Sequence, residues 1–228
     1  MNPKIKETIS LEFDAFSKDY TSDMITVVPH YLSLMSCFND CLPLKFEPRS
    51  ILDLGCGNGN STAEIIHRFL DAEYTLVDAS AEMLAICKAR FSDSNIKLVE
   101  SYFSDFEFSA ASYDLIIAGF SMHHCQAEEK KSLFKKLKTS LMPNGYLAIS
   151  DLFITKTDDT HPALLEYWKN YINGNDPSGE KWAWLKEHYD RFDSPHNFES
   201  QKTWLSDAGF SNIEIAWNEG VWMHVMAS

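Results

Sequence analysis

The stretch ILDLGCGNGNST, residues 51–62, joins a short apolar strand, a loop with three glycines and the start of a helix. Gly55, Gly57 and Gly59 let the chain turn tightly and let a ligand approach the backbone without meeting a Cβ atom. The pattern differs from the dinucleotide fingerprint Gly-x-Gly-x-x-Gly because Asn60 stands at its last position, and it lacks the Gly-Lys-Ser/Thr of a phosphate loop. A pyrophosphate is therefore not the expected ligand. The alternative is an ordinary glycine turn of an α/β protein.

An acidic side chain, Asp78, ends the second apolar strand and lies 19 residues after Gly59. The carboxyl ends of parallel strands meet at one edge of a sheet, where ligands bind. A carboxylate at this place can accept hydrogen bonds from the ribose hydroxyls of an adenosine. Together with the glycine loop, Asp78 predicts an adenosine-bearing ligand. The alternative is an acidic loop residue with no such role.

Strand and helix patterns alternate from residue 50 onward. The runs that predict strands are SILDLG, YTLVDAS, NIKLVE, YDLIIAGF and, after a turn at residues 143–145, YLAISDLFI. Helical spacing occurs in STAEIIHRFL, AEMLAICKARF and AEEKKSLFKKLKTSL. Near the end, NIEIAW and VWMHVMA flank Glu219-Gly220 and predict a hairpin. The alternation predicts an α/β fold with a Rossmann-like, doubly wound sheet covered by helices on both faces.

The chain of 228 residues is acidic, with 33 Asp and Glu against 20 Lys and Arg and a formal net charge of −13. Nucleic acid binding usually needs a basic patch, so we expect no nucleic acid partner. The five cysteines show no disulfide framework, which favours a reduced, cytoplasmic setting. We expect no signal peptide and no membrane contact, because no apolar run is long enough for either. The oligomeric state stays open between monomer and homodimer.

The sequence resembles the class I S-adenosylmethionine-dependent methyltransferases over nearly its whole length. The matching pieces are FDAFSKDY (13–20), LDLGCGNG (52–59), LVDASAEML (76–84), YDLIIAGFSMHH (113–124), LMPNGYLAISD (141–151) and WLSDAGF (204–210). The resemblance implies a seven-stranded sheet whose last strand, made by the terminal hairpin, is antiparallel. It also implies S-adenosyl-L-methionine as the cofactor.

Five positions are implied at the methionine end of that cofactor. By the resemblance, Asp53 and the backbone of Gly55, Cys56 and Gly57 hold the methionine group. Tyr20 is similar to a tyrosine that closes over the methionine carboxylate in relatives.

The resemblance assigns the adenosine end to residues after the second and third strands. It implies that Asp78 binds the ribose and that four side chains surround the adenine: Ala79, Met83, Tyr102 and Phe103. Many relatives have an aspartate where Tyr102 stands, so the adenine amino group is expected to contact either backbone or Asp105. Ala118 and Phe120, at the end of the fourth strand, are implied to lie beside the cofactor.

We expect one domain over residues 1–228, since no Gly- or Ser-rich linker divides the chain. It comprises an N-terminal helical segment (1–49), a cofactor-binding core (50–153), a helical cap insertion (154–200) and a C-terminal helix with the hairpin (201–228). The cap is rich in aromatic residues. They either line an apolar acceptor pocket or pack a small core of their own.

His123 is the candidate catalytic residue, because it follows the fourth strand and histidine can take a proton near neutral pH. The alternative is a pocket wall or a structural hydrogen bond. The lysines of 130–138 predict a solvated helix face, with a partner patch as the alternative. Cys37 and Cys41 are four residues apart without a second pair, so we predict no metal site.

The predicted function is S-adenosylmethionine-dependent methyl transfer to a small-molecule acceptor. The alternatives are an S-adenosylmethionine-using tRNA-modification enzyme or a carboxy-S-adenosylmethionine synthase. A NAD-dependent dehydrogenase is disfavoured by Asn60, and a binding module without catalysis stays possible.

Overall fold

A seven-stranded sheet is the centre of the computed structural model, which describes residues 20–92 and 94–228. The strands are β1 Ser50–Leu54, β2 Glu73–Asp78, β3 Ile96–Glu100, β4 Tyr113–Gly119, β5 Leu141–Leu152, β6 Ile213–Glu219 and β7 Trp222–Ala227. Their order in the sheet is β3-β2-β1-β4-β5-β7-β6. β1 to β5 pair in parallel, and β7 is antiparallel to both β5 and β6. The predicted fold class is confirmed, including the antiparallel last strand.

Helices cover both faces of this sheet. The described helices are α1 Tyr20–Val27, α2 Tyr31–Asp40, α3 Asn60–Ile65, α4 Ala81–Arg90, α5 Ala127–Ser140, α6 His161–Asn175, α7 Glu180–Phe192 and α8 Phe198–Asp207. Ile51 packs into the apolar cluster on one face, and Leu52 and Leu54 pack into the cluster on the other. Such alternation on a strand buried from both sides is what a parallel sheet between helices requires. No helix of the described residues is long and apolar enough to cross a membrane.

The segment 143–145, predicted as a turn, is part of β5 in the structure. The pairing of β4 with β5 shifts register between Tyr113 and Leu115. Asn144 has a φ of 67°, a left-handed conformation that asparagine tolerates. The extra residues therefore form an irregularity inside a long strand. The prediction was wrong here because turn-forming residues also mark bulges.

Helices α6 and α7, which follow β5 as expected for the cap, hold α1 in place. Trp168 Nε1 donates to Val27 O at 2.5 Å, and Tyr171 Oη donates to Ile25 O at 3.1 Å. Lys181 Nζ pairs with Asp23 Oδ1 at 2.6 Å. These contacts place Tyr20, the first residue of α1, next to the glycine loop. Residues 13–19 of the segment FDAFSKDY lie outside the described residues.

Candidate active site

Backbone hydrogen bonds and close packing hold one side of the glycine loop between β1 and α3, and its other side is accessible to a ligand. Gly55 and Cys56 donate their backbone N–H groups to Val77 O at 2.8 and 3.0 Å. A Cβ atom on Gly55, whose φ is 74°, would lie 2.4 Å from Ser121 Cβ. Among the described residues, a Cβ atom on Gly57 would meet Tyr20 alone, at 3.8 Å. The loop backbone is therefore packed against β4 at Gly55 and accessible to a ligand at Gly57.

Asp78 fixes the loop to the end of β2. Its Oδ2 accepts the Gly57 N–H at 2.8 Å, and its Oδ1 accepts the Ser80 N–H at 2.9 Å. Ser80 in turn caps α4 by accepting the Met83 N–H at 3.1 Å. The carboxylate thus stands at the carboxyl edge of the sheet, as the sequence predicted.

A cavity of about 420 Å³ opens over this edge. Its size lies in the range of small-molecule sites. The predicted cofactor residues that line it are Tyr20, Gly55, Gly57, Asp78, Ala79, Met83, Tyr102, Phe103 and Phe120. Residues not predicted also line it, among them Ser80, Ser101 and Ser121, and the first half of α5 forms one wall. The structure therefore brings the ends of β1, β2, β3 and β4 together around one space.

Three of the predicted cofactor residues do not line this cavity. Asp53 is completely buried beneath the loop, where its Oδ2 accepts the Thr62 hydroxyl at 2.7 Å. Burial raises the pKa of Asp53 to about 7, and its Oδ1 has no hydrogen-bond partner among the described residues. The side chains of Cys56 and Ala118 are buried in the two apolar clusters. Their roles toward a cofactor stay predictions.

A second, smaller pocket of about 60 Å³ adjoins the cavity below α1 and the cap. Tyr20, Phe120 and His124 line both spaces. Of the cap aromatics, Trp168 and Trp184 line the small pocket. Tyr189 and Phe192 are instead buried in the protein, so the cap both lines a pocket and packs a core. Burial raises the pKa of Tyr20 well above its usual value, which keeps the hydroxyl protonated.

His123 lines the small pocket and is oriented by Asp151 at the end of β5. Its Nδ1 lies 2.6 Å from Asp151 Oδ1, and its backbone N–H donates to Oδ2 at 3.0 Å. Burial alone would lower the pKa of His123, but the charges of Asp151 and Asp193 raise it overall. Burial likewise opposes ionisation of Asp151, yet His123 holds its pKa below the usual value. The pair therefore fixes the ring with Nε2 directed away from Asp151.

Asp193, just after α7, has three imidazoles around its Oδ1 atom. The distances are 3.0 Å to His124 Nδ1, 3.7 Å to His188 Nε2 and 3.8 Å to His123 Nε2. These histidines outweigh the effect of burial and lower the pKa of Asp193 to about 2. Burial and the neighbouring His123 lower the pKa of His124 to about 4.

Sequence reasoning missed Asp151, His188 and Asp193. Asp151 carries a signal, since it ends a strand of the parallel sheet. His188 and Asp193 lie in the cap, 65 and 70 residues after His123, in no recognisable spacing.

Lys130 is another residue whose position the sequence did not predict. It was expected on a solvated face, but its side chain is completely buried. Its Nζ donates to Ser194 O at 2.8 Å and lies 2.8 Å from His196 Nδ1. Burial lowers the pKa of this amine to about 8. Lys130 thereby attaches the segment after Asp193 to α5.

Comparison with known proteins finds a methyltransferase family model and curated relatives that share one enzyme name. Residues 51–145 match the model of a methyltransferase domain family. The curated relatives include a carboxy-S-adenosyl-L-methionine synthase from Shewanella piezotolerans, 27% identical over 92% of this chain and 89% of that protein. Another protein of that name, from Campylobacter concisus, is 25% identical over 97% of both chains.

Solved structures share the fold at low identity. A Leishmania major S-adenosylmethionine-dependent methyltransferase superposes with a TM-score of 0.67 at 14% identity, over 97% of this chain and 82% of that one. Human N-acetylserotonin methyltransferase, solved with S-adenosylmethionine, gives 0.55 at 16% identity, over 98% and 55%.

Proposed function

Residues 51–145 are a methyltransferase domain with the class I, S-adenosylmethionine-dependent fold, and from this premise we propose that the chain transfers the methyl group of S-adenosylmethionine to a small-molecule acceptor. The observation that carries the proposal is the junction of two spaces, a cofactor-sized cavity and a small buried pocket that share Tyr20 and Phe120. Methyl transfer needs such a junction, because the two reacting atoms must approach to about 3–3.5 Å with water excluded.

The residues around the larger cavity fit the cofactor. Asp78 offers carboxylate oxygens to ribose hydroxyls, and Met83 and Phe103 offer apolar surfaces to an adenine. The Gly57 backbone is accessible from the cavity. The buried Asp53 Oδ1 is a hydrogen-bond acceptor without a partner among the described residues, and it lies beneath the loop, near the expected place of the methionine amine. When bound, S-adenosylmethionine supplies a methyl group that its sulfonium already activates.

We assign the catalytic role to His123. An acceptor hydroxyl or amine loses a proton on methylation, and a group that contacts its nucleophilic atom assists that loss. His123 lines the small pocket, and Asp151 fixes its ring from the opposite side. Tyr20 and the cap residues Trp168 and Trp184 line the same pocket and would displace water from around a bound acceptor.

The lining of the small pocket favours an acceptor without negative charge. Within residues 20–92 and 94–228, no lysine or arginine lines this pocket, and Asp193 adds a carboxylate. The remaining lining is largely apolar and includes Val27, Leu152 and Trp222. An anionic acceptor would lose its hydration in a pocket whose histidines already face the carboxylates of Asp151 and Asp193.

Carboxy-S-adenosylmethionine synthesis is the second candidate, supported by the names of the curated relatives. Its product, by its name, carries an added carboxyl group, and a buried carboxylate requires a positive partner. The basic residue that lines the larger cavity, in the part of the chain that the structure describes, is Lys136 on α5. No lysine or arginine among the described residues lines the small pocket, and this absence of a positive partner there favours methyl transfer over the synthesis of a carboxylated product.

Two measurements test the proposal. Calorimetry of the full chain is expected to show binding of S-adenosylmethionine and no binding of NAD. With methyl-tritiated S-adenosylmethionine and a panel of small phenols, alcohols and amines, we expect label in at least one acceptor. His123→Ala should lower turnover much more than cofactor affinity, while His67→Ala, an exposed histidine, should change neither. Binding of NAD instead, or equal turnover in both variants, would contradict the proposal.

A further inference from the structure

The three imidazoles around Asp193 Oδ1 form a cluster that methyl transfer from S-adenosylmethionine does not by itself require. We propose that His123, His124 and Asp193 bind one divalent transition-metal ion of the zinc or iron(II) type, and that this ion holds an acceptor with an oxygen or nitrogen donor. The site for the ion is inferred from the cluster alone. Its part in holding the acceptor rests on the proposed function.

The spacing of the donor atoms suits such an ion. Nitrogen and oxygen ligands lie about 2.0–2.2 Å from zinc, so neighbouring ligands of a tetrahedral site are about 3.3–3.6 Å apart. The three imidazole nitrogens lie 3.0, 3.7 and 3.8 Å from Asp193 Oδ1. The chosen atoms of His123, His124 and Asp193 all lie within 4.8 Å of one another. Small movements of these side chains therefore bring three ligands around one centre and leave a fourth position for the acceptor.

The carboxylate oxygen at the centre of the cluster is buried, and the neighbours that can balance its charge, among the described residues, are imidazoles, with His124 Nδ1 at 3.0 Å. The Asp193 side chain is 7% exposed, and Oδ1 is buried without a hydrogen bond to any described residue. A buried carboxylate is strongly unfavourable unless it is paired or coordinates a metal. A cation among the three imidazoles would satisfy it.

Hydrogen bonds from neighbouring residues orient the proposed ligands, as they do in known metal sites. A metal-binding histidine usually donates its second ring N–H to a carboxylate, which orients the ring. His123 does so through Nδ1 to Asp151 at 2.6 Å, leaving Nε2 for the cluster. The Ser194 N–H donates to His123 O at 2.6 Å, and Lys130 binds Ser194 O. These bonds keep Asp193 against the histidines.

The types of ligand atom indicate which ion binds, and the position of the cluster beside the small pocket indicates what the ion does there. Imidazole nitrogens with one carboxylate suit zinc and iron(II), whereas magnesium and calcium prefer oxygen ligands. The cluster borders the small pocket, so a hydroxyl of the acceptor can complete the coordination. Binding to the ion would lower the pKa of that hydroxyl, so His123 would assist the loss of the proton as a ligand of the ion, and the proton itself would pass to solvent water. The oxygen then bonds to the methyl carbon as the carbon–sulfur bond breaks and its electron pair stays on sulfur.

The first test measures the ion itself on the full chain, prepared without an affinity tag and stripped with a chelator. Titration with Zn²⁺ by calorimetry, and with Co²⁺ by visible absorption, is expected to show one ion per chain and a d–d spectrum of nitrogen–oxygen coordination. Asp193→Asn and His124→Gln should weaken binding at least 100-fold. The matched controls are Asp190→Asn, at an exposed residue of α7, and His67→Gln. Both should bind the ion with an affinity within twofold of the wild-type value. Circular dichroism verifies the fold of each variant.

The outcomes separate this inference from the proposed function. Wild-type protein that binds no stoichiometric Zn²⁺ or Co²⁺, or folded cluster variants with unchanged affinity, would overturn the metal site. Full methyl transfer by the stripped protein would overturn the role of the ion toward the acceptor and leave the proposed function intact. S-adenosylmethionine should bind both with and without the ion, because His123 and Asp193 do not line the larger cavity and only His124 of the proposed ligands does. Its failure to bind at all would contradict the proposed function and leave the metal titration as an independent result.

Discussion

Asp78→Ala tests the cofactor site where the structure defines it best. The carboxylate holds the Gly57 and Ser80 N–H groups at 2.8 and 2.9 Å and is the proposed ribose partner. Each hydrogen bond to a charged group contributes about 1.5–3 kcal/mol. Asp78→Ala removes two hydrogen bonds to the ribose, and water compensates part of their free energy. We therefore expect the affinity for S-adenosylmethionine to fall at least tenfold, about 1.4 kcal/mol.

The same substitution also releases the loop, and a second variant separates the two effects. Asp78→Ala leaves two backbone N–H groups without their acceptor, so the midpoint of thermal unfolding should fall by a few degrees. Asp78→Asn retains an oxygen for Gly57 but loses the charge. Because its amide NH2 group then faces the Ser80 N–H, we expect a stability between those of the wild type and Asp78→Ala, together with weakened binding. The assays are calorimetry with S-adenosylmethionine and S-adenosylhomocysteine, and thermal unfolding without ligand.

The control for Asp78 is its neighbour on the next strand. Glu100 pairs with Asp78 in the register of β2 and β3 and is exposed. Glu100→Ala should leave both affinity and stability unchanged. Unchanged affinity in a folded Asp78→Ala protein would refute the assignment of this carboxylate to the ribose.

Three further predictions concern stability and pH. Gly55→Ala places a Cβ 2.4 Å from Ser121 Cβ at a positive φ, so cofactor binding and thermal stability should both fall, whereas Gly174→Ala, with nothing within 4 Å, should be tolerated. Trp168→Phe removes the hydrogen bond to the Val27 carbonyl, and chemical unfolding should show a loss of about 1–3 kcal/mol. Burial lowers the pKa of His224 to about 3, below its unfolded value near 6.5. The unfolded chain therefore takes up this proton first as pH falls, and the free energy of unfolding should drop about 1.4 kcal/mol per pH unit below 6.5 relative to His224→Gln. Equal pH slopes in the two proteins would contradict this account of His224.

The parts of the site that could be predicted are those that the chain order fixes. β1, its glycine loop and α3 are consecutive, and β2 lies beside β1, so Gly57 and Asp78 must meet at one sheet edge. The alternation of buried strands with helices likewise determines a parallel sheet with a crossover at each helix. Tyr102 and Phe103 follow β3 and reach the same edge for the same reason.

The parts that could not be predicted depend on tertiary packing of distant segments. Asp193 meets His123 and His124 because the cap folds back over the ends of β4 and β5. No spacing in the sequence reports that approach. Lys130 stands among lysines of one helix that are half-buried or exposed, and its buried amine contacts the distant segment 194–196.

The most direct test of the central claim identifies the nucleoside that the protein retains. The full chain is incubated with equimolar S-adenosylmethionine and NAD and with the acceptor panel, desalted, and denatured in acid, and the released nucleoside is identified by mass spectrometry. We predict S-adenosylmethionine or S-adenosylhomocysteine, together with a methylated acceptor in the filtrate. Retained NAD, or a nucleoside that carries a carboxymethyl group on sulfur, would contradict the account.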